Sequence, residues 1–352
     1  MHPTDRISFP ASRSAVRHIA LTLLVAVVVA GLARPASAQL IPSFGSDRAG
    51  TSGFQFLKIP TDARSAAMGQ SVVSNAFDVS SLFWNPALAA ELESAQFAFN
   101  HTAYFADVSM EFAGGTVHLA GPRITVGASL QMLNSGEMDV TTEFEPFGTG
   151  ETFRSVSMAG GLTVAQQLTD LFSYGITGKY IREGVAEIVT QTVVFDLGVF
   201  YRVGDTGMQM AVAIRNFGLD GTPEGRLSRT AVTPSGVIVE DRFEGITPPT
   251  TFMLGLTYQL LPAADAHDLL ISTQLTNPND NAENLNFGAE YTWNELLILR
   301  AGYRVGVEES ILPSLGVGLR VPMNGPDLRF DYGFSQLDRL GTIHRIGFNL
   351  GL

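Results

Sequence analysis

Charged residues recur at every second position of apolar segments in the second half of this chain of 352 residues. Arg329 and Asp331, for example, alternate with Leu328, Phe330 and Tyr332. Arginine and carboxylate side chains on one face of neighbouring strands can form ion pairs. We predict that ten such residues share a polar face as a charge network, which fixes strand register and performs no reaction. The ten residues are Asp196, Arg202, Arg215, Glu290, Arg300, Arg304, Arg320, Arg329, Asp331 and Arg345.

Patterns of a catalytic or metal site are missing from the sequence. The histidines after residue 38 lie on separate segments without an H-E-x-x-H spacing, and no G-x-S-x-G motif occurs. The chain has no cysteine, which excludes thiol catalysis and cysteine metal sites. We therefore predict a protein that is not an enzyme and binds neither a metal nor a cofactor. A hydrolase stays open as a third interpretation and requires a Ser/His pair that converges in the structure.

The first 38 residues have the pattern of a secretory signal peptide. Arg6, Arg13 and Arg17 precede an apolar run from Ile19 to Leu32, and Ala36-Ser37-Ala38 offers a cleavage site. Cleavage after Ala38 leaves 18 basic and 33 acidic residues, a net charge of −15. Such a chain is a poor ligand for nucleic acid, because the phosphate backbone repels it.

Beyond residue 93, apolar and polar residues alternate with a period of two. In the last segment, Ile346, Phe348 and Leu350 alternate with arginine, glycine and asparagine. This alternation is typical of a strand with one apolar and one polar face. We predict fourteen strands, at residues 94–104, 107–120, 123–135, 152–168, 172–189, 191–203, 207–217, 250–261, 267–277, 284–293, 296–306, 313–321, 327–336 and 343–352.

The lengths of the connections indicate that these strands close into a barrel. Short turns alternate with longer loops, of which 136–151 and 218–249 are the longest. An even strand number with this asymmetry is typical of bacterial outer-membrane proteins. We predict an all-β fold, a transmembrane antiparallel β-barrel of about 14 strands over residues 94–352, with the polar face lining the lumen. A soluble sandwich is disfavoured, because nothing outside the strands could supply a second layer.

Residues 39–93, which precede the first strand, have a different composition. Thr61–Ala76 is compatible with a helix, and Phe83 and Trp84 disfavour a disordered leader. We predict a partly helical plug inside the lumen or over its periplasmic mouth. Pro86 is expected to end a short helix and turn the chain, and a gate or cargo contact is the functional alternative. The plug motif is F-W-N-P-A, consisting of Phe83, Trp84, Asn85, Pro86 and Ala87.

The two longest loops carry apolar residues that water does not favour. Such residues cost solubility unless they pack over the barrel or on a partner. We predict partner contact through these loops, and a loop that merely folds over the mouth stays open as the alternative. The contact residues we select are Met138, Phe144, Phe147, Val237, Ile238 and Phe243.

Short motifs in a fixed order link the chain to a known family. They include G-T-S-G-F-Q-F-L-K-I (50–59), D-A-R-S-A-A-M-G (62–69), F-W-N-P-A (83–87), K-Y-I-R-E (179–183), F-D-L-G-V-F-Y (195–201), I-R-N-F-G (214–218), F-D-Y-G-F (330–334) and G-T-I-H-R-I (341–346). With this set the chain resembles the PorV/PorQ family of outer-membrane β-barrels, relatives of the FadL long-chain fatty acid transporters.

The resemblance implies a fourteen-stranded barrel in the outer membrane and a role beside the type IX secretion machinery. One family member resembles a shuttle that takes exported cargo from the translocon to the attachment complex. The partners implied are outer-membrane lipid, translocon and attachment proteins, and cargo signal domains. A FadL-like transporter of a hydrophobic small molecule is the alternative. An apolar lumen would favour the transporter, whereas the charged inner face favours export.

Overall fold

The computed structural model describes residues 48–186, 188–225, 243–261, 266–308, 310, 312–323 and 325–352. The predicted signal peptide, residues 1–38, lies outside them. No helix within the described ranges is long and apolar enough to cross a membrane. The strands are β1 (Gln96–Ala103), β2 (Ser109–Leu119), β3 (Ile124–Asn134), β4 (Met138–Asp139), β5 (Thr152–Phe153), β6 (Ser155–Thr169), β7 (Phe172–Val185), β8 (Ile188–Arg202), β9 (Met208–Gly218), β10 (Thr222–Glu224), β11 (Thr251–Leu261), β12 (His267–Pro278), β13 (Asn284–Trp293), β14 (Leu297–Val305), β15 (Ser314–Pro322), β16 (Asp327–Leu337) and β17 (Gly341–Gly351).

Fourteen of these strands form one closed antiparallel barrel, which confirms the predicted fold class. Each wall strand pairs with its neighbours along the chain, and β1 pairs with β17 to close the wall. The short strands β4, β5 and β10 belong to the two longest loops. The predicted boundaries differ most at the hairpin between the strands predicted at 172–189 and 191–203, because β7 ends at Val185 and β8 begins at Ile188. Alternation runs through the tight turn at Ala186, where neither glycine nor proline marks the reversal.

The two faces of the wall differ as the alternation predicts. Leu299, Val317 and Phe330 point outward with exposed fractions of 46%, 44% and 46%. Their inward neighbours Arg300 and Asp331 are buried. An exposed apolar band around a closed barrel is the surface that a lipid bilayer covers.

The two ends of the barrel also differ. The loop 134–155 and the described parts of the segment 218–251 (218–225 and 243–251) lie at one end, which we call the long-loop end. The opposite short-turn end carries turns such as Thr169–Phe172 and Trp293–Leu297. In outer-membrane barrels the long loops are external and the short turns periplasmic.

A segment ahead of β1 runs inside the lumen from the long-loop end to the short-turn end. We call residues 54–92 the plug segment, and nearly all of its side chains are buried. Asp62 caps its first α-helix, because Asp62 Oδ1 accepts a hydrogen bond of 2.7 Å from the Ser65 amide. The helices of the plug segment are the 3₁₀ helices Gln55–Lys58 and Pro86–Glu91 and the α-helices Ala63–Ala67 and Ser81–Trp84.

Glycines of the wall allow the plug segment to approach the strands closely. A Cβ atom added at Gly302 would collide with the backbone of Met68 and Gly69. At Gly333 it would lie 2.6 Å from the carbonyl oxygen of Ala63. The contact is therefore backbone against backbone, which only glycine permits at these positions.

Candidate functional site

The first cluster that fixes the plug segment consists of ion pairs. Arg64 of the plug segment donates to Glu290 on β13, with 2.8 Å between Arg64 Nε and Glu290 Oε2. Glu290 also binds Arg300 on β14 at 2.6 Å. This shared carboxylate ties the helix Ala63–Ala67 to two neighbouring strands.

The chain of ion pairs continues across the wall and returns to the plug segment. Arg300 Nη1 lies 2.5 Å from Asp331 Oδ1, and Asp331 Oδ2 lies 2.7 Å from Arg329 Nε. Arg329 in turn donates to Asp78 of the plug segment. We call these six residues the ionic cluster: Arg64, Asp78, Glu290, Arg300, Arg329 and Asp331. Three guanidinium groups meet three carboxylates, so the cluster is neutral, as burial requires.

A second cluster holds the aromatic pair of the plug motif. The guanidinium carbon of Arg215 lies 3.7 Å from the ring centre of Phe83 and 5.4 Å from that of Trp84. Arg215 Nη2 also donates to the carbonyl oxygen of Leu57 at 3.2 Å. Buried arginine over an aromatic face is a favourable cation–π contact.

A buried carboxylate behind Arg215 offsets its charge. Asp196 on β8 binds Lys179 on β7, with 2.5 Å between Lys179 Nζ and Asp196 Oδ2. Asp196 Oδ1 accepts from the Asn216 amide at 2.8 Å, where a bulge places two residues of β9 opposite one of β8. The bulge turns both Arg215 and Asn216 inward. We call Arg215, Phe83, Trp84, Asp196 and Lys179 the arginine–aromatic cluster.

The plug motif turns the chain inside the barrel. The helix Ser81–Trp84 ends before Asn85, as predicted, and Pro86 begins the next 3₁₀ helix. Asn85 Oδ1 accepts from the Ala87 amide at 3.0 Å, and Asn85 Nδ2 donates to the carbonyl of Val73 at 2.9 Å. All five motif residues are buried, so in this conformation none of them is exposed to a partner at either mouth.

The ten predicted charges all face the lumen, but they separate into several groups. Four of them belong to the ionic cluster and two to the arginine–aromatic cluster. Arg202 pairs with Glu91 at the short-turn end at 2.8 Å, and Arg320 lies 3.4 Å from Asp327 at the same rim. Arg304 lies near Arg345 on the other side of the lumen.

Several partners of the predicted charges were missed in the sequence. The missed partners are Arg64, Asp78, Glu91 and Lys179. Lys179 stands at an inward position of β7 and could have been found from the alternation alone. The other three lie in the plug segment, which has no period that would orient them.

The mouth at the long-loop end has its own anchor. Asp280, between β12 and β13, accepts hydrogen bonds from Lys58 Nζ at 2.8 Å, from Gln55 Nε2 at 2.7 Å and from Ser52. Burial raises the pKa of Asp280, but the hydrogen bonds from Lys58, Ser52 and Gln55 outweigh it, so the pKa lies below its ordinary value. The carboxylate therefore fixes the start of the plug segment.

The predicted contact residues differ in exposure. Phe144 and Phe147 extend from the loop between β4 and β5 with exposed fractions of 91% and 99%. Met138, which lies in β4, is half-buried. Phe243 is also half-buried. The other two predicted residues, Val237 and Ile238, lie outside the described residues.

The four histidines after residue 38 do not build a hydrolase site in the part of the chain that the structure describes. His101 contacts Glu111 and His118 contacts Thr125, at 3.2 and 3.0 Å. The two others, His267 and His344, contact the hydroxyls of Tyr291 and Tyr332. The described residues also hold no group of three or more His, Cys, Asp or Glu that could bind a metal.

Comparisons with known structures show the fold. The chain is similar to the toluene transporter TodX of Pseudomonas putida, with 13% identity, a TM-score of 0.55, and coverage of 82% of this chain and 96% of TodX. It is similar to the toluene transporter TbuX of Ralstonia pickettii, with 12% identity, a TM-score of 0.53, and coverage of 86% and 98%. A FadL homologue of Pseudomonas aeruginosa aligns at 15% identity and a TM-score of 0.52, covering 83% and 97%.

Comparison with curated protein sequences gives no match. Residues 44–207, which include the whole plug segment and end in the turn before β9, match the family model of the type IX secretion system protein PorV. This range contains the plug motif and four of the five residues of the arginine–aromatic cluster. The fold is thus that of outer-membrane transport barrels, and residues 44–207 of the chain are similar to the PorV family.

Proposed function

We propose that this protein is a non-enzymatic outer-membrane component of protein export of the type IX kind. The observation that carries the proposal is the match of residues 44–207 to the PorV family model. The closed barrel serves as the membrane anchor, and the external loops bind translocon or attachment proteins and the signal domains of cargo.

The lumen supports a role that does not depend on conduction. The plug segment runs through the whole barrel and is fixed to the wall by ion pairs at Glu290 and by Arg215. The inner face of the wall carries paired charges beside apolar side chains such as Phe112, Phe200 and Met253, and these apolar side chains pack against the plug segment. While the plug segment stays in place, it covers the apolar surface that a hydrophobic solute would prefer. We infer a plug that stays in place while the outer surface works.

The loop that carries Phe144 and Phe147 is the best-supported partner contact. Exposed aromatic rings are enriched at protein interfaces, because they bury a large area for little lost entropy. Glu143 and Glu145 flank Phe144, so a partner with basic or hydrogen-bond-donating groups around an apolar pocket would fit.

We also propose the route to the membrane and the division of the chain. Residues 1–38 act as the signal peptide, 39–93 as the plug, and 94–352 as the barrel. The first residue of the protein purified from outer membranes tests the cleavage site. Gln39 is expected, and retention of the apolar run would contradict the signal peptide.

A FadL-like transporter is the second candidate, favoured by the similarity in fold to the toluene transporters. In that function the plug segment would have to move for a hydrophobic molecule to pass. The two functions therefore differ in whether the plug segment must leave its site.

The test is a deletion strain of the native host in which proteins with the type IX C-terminal signal are followed by fractionation. Cargo held in the periplasm with its signal uncleaved is the expected result. Complementation with the double variant Phe144→Ser/Phe147→Ser should restore export poorly, whereas the matched control Thr141→Ser/Thr142→Ser should restore it fully. Normal export in the deletion strain, with impaired uptake of a hydrophobic nutrient, would favour the transporter.

A further inference from the structure

The plug segment leaves part of the lumen empty at the short-turn end. Its last helix, Pro86–Glu91, packs against β6, β7 and β8. On the other side, the inner faces of β12 to β16 surround a half-open recess of about 330 Å³. This volume is at the lower end of the range, about 300 to 1,000 Å³, in which small-molecule sites fall.

One wall of the recess is built by arginines on three successive strands. Arg300 on β14, Arg320 on β15 and Arg329 on β16 all line it. Arg320 and Arg329 stand directly opposite each other in the β15–β16 register. Like charges in this position repel. Arg329 is offset by Asp331 and Asp78, whereas Arg320 has, in the described part of the chain, only the carboxylate of Asp327 at 3.4 Å.

Two guanidinium nitrogens in this wall have no hydrogen-bond partner among the described residues. They are Arg300 Nη2 and Arg320 Nε, and both are buried. Asp327 lies 3.4 Å from Arg320 Nε, a contact without hydrogen-bond geometry. The guanidinium of Arg300 packs over Gly318 on β15, where an added Cβ would lie 3.1 Å from Arg300 Nη2. Buried donors without acceptors indicate a missing acceptor.

The opposite wall carries acidic and neutral polar groups. Asp268 on β12, Thr292 on β13 and Glu295 in the next turn line this side. Glu290 also lines it, but both of its oxygens already bind Arg64 or Arg300. The recess therefore has a positive wall and a negative wall.

We propose that this recess binds a small zwitterion from the periplasm, with its carboxylate on Arg300 and Arg320 and its ammonium toward Asp268 and Glu295. A free amino acid and the end of a short peptide share this chemistry. A dianion such as phosphate fits less well, because the acidic wall repels a second negative charge. The proposal does not depend on the role in export.

The test is calorimetric titration of the full-length mature protein in detergent with trialanine. We expect binding of trialanine, binding at least tenfold weaker for its C-terminal amide, and weakened but measurable binding for its N-acetyl form. Alanine is the further probe. Equal affinity for alanine and trialanine indicates a site for free amino acids, and weaker binding of alanine indicates a site for peptide ends.

Three variants give effects of different sign. Arg320→Gln should weaken trialanine binding at least tenfold. Asp327→Asn removes the competing carboxylate and should strengthen it severalfold. Arg123→Gln, an exposed arginine of the same end that pairs with Asp170, should leave it unchanged. Migration of the unheated protein on a denaturing gel checks that each barrel is folded.

Three results would overturn the proposal. The first is a titration in which trialanine shows no binding at millimolar concentration. The second is equal binding of trialanine and its amide, and the third is an equal effect of Arg320→Gln and Arg123→Gln. Each would mean that the recess does not recognise a carboxylate.

Discussion

The ionic cluster and the arginine–aromatic cluster fix the same segment by different physics. In the ionic cluster every guanidinium has carboxylate partners, and each bond depends on the others, as Glu290 shows by binding Arg64 and Arg300. In the arginine–aromatic cluster, Arg215 lies on ring faces and shares Asp196 with Lys179. Arginines that look alike in the sequence, each at an inward position of a strand, can therefore form either a charge-matched network or a packing contact with aromatic rings. Loss of one group should therefore cost more in the first cluster.

The largest effect is expected for Glu290→Gln. The change leaves the buried Arg64 with Asn75 as its hydrogen-bond partner and removes one of two carboxylates from Arg300. Breaking a buried ion pair typically costs about 3–5 kcal/mol of unfolding free energy. Urea unfolding followed by tryptophan fluorescence measures it, with Glu295→Gln in the exposed turn as control. Equal stabilities of the two variants would contradict the cooperative network.

A smaller loss is expected for Arg215→Met, which keeps the apolar stem and removes the cation. The loss of a desolvated cation–π contact costs about 2 kcal/mol. The same unfolding experiment compares it with Arg202→Met, whose partly exposed pair with Glu91 should be worth at most about 1 kcal/mol. If Arg215→Met cost as much as Glu290→Gln, the distinction between the two clusters would fail.

The backbone contact between the plug segment and the wall can be tested by replacing a wall glycine with alanine. Gly302→Ala places a Cβ against the backbone of Met68 and Gly69, and overpacking of this kind costs about 1–3 kcal/mol. Gly160→Ala is the matched control, because an added Cβ there meets no atom within 4 Å. Faster proteolysis within the plug segment of Gly302→Ala, but not of Gly160→Ala, is the expected readout.

The smallest effect concerns the anchor at the long-loop end and depends on pH. Because hydrogen bonds from Lys58, Ser52 and Gln55 hold the pKa of Asp280 below its ordinary 3.8, the carboxylate stabilises the fold above pH 3.8. This contribution is lost as the pH falls below that value. Asp280→Asn should therefore cost at most about 1 kcal/mol at pH 7. The difference from the unchanged protein should disappear near pH 2, and a constant difference across this range would contradict the assignment.

The barrel could be predicted because the alternation of apolar and polar residues can be read within each strand by itself. The outward residues of each strand are apolar and lie two positions apart in the sequence. Leu328, Phe330 and Tyr332 are therefore enough to predict which face of β16 points outward. The turn at Ala186 escaped because a tight hairpin needs no glycine when alternation continues on both sides. The inward direction of all ten charges followed from the same period.

The partners of those charges could not be predicted, because they lie far away in the chain. Arg64 and Glu290 are 226 residues apart, and the short helices of the plug segment have no period that reveals their contact face. Asp331 illustrates the limit. The alternation places Asp331 and Arg345 inward on neighbouring strands, where a pair would be expected. Asp331 instead binds Arg300 and Arg329, while Arg345 donates to Ser335. The β16–β17 register sets Asp331 opposite Gly347, one diagonal step from Arg345.

The central claim is that export does not require the plug segment to move. Ser74 of the plug segment and Thr257 on β11 have their hydroxyl oxygens 2.7 Å apart, and the chain contains no cysteine. The double variant Ser74→Cys/Thr257→Cys can therefore lock the plug segment by one disulfide. The measurement is export of type IX cargo in the deletion strain carrying this variant, with Ser74→Cys alone as control. We predict export equal to that of the control. Export that stops when the disulfide forms and resumes on reduction would contradict the claim.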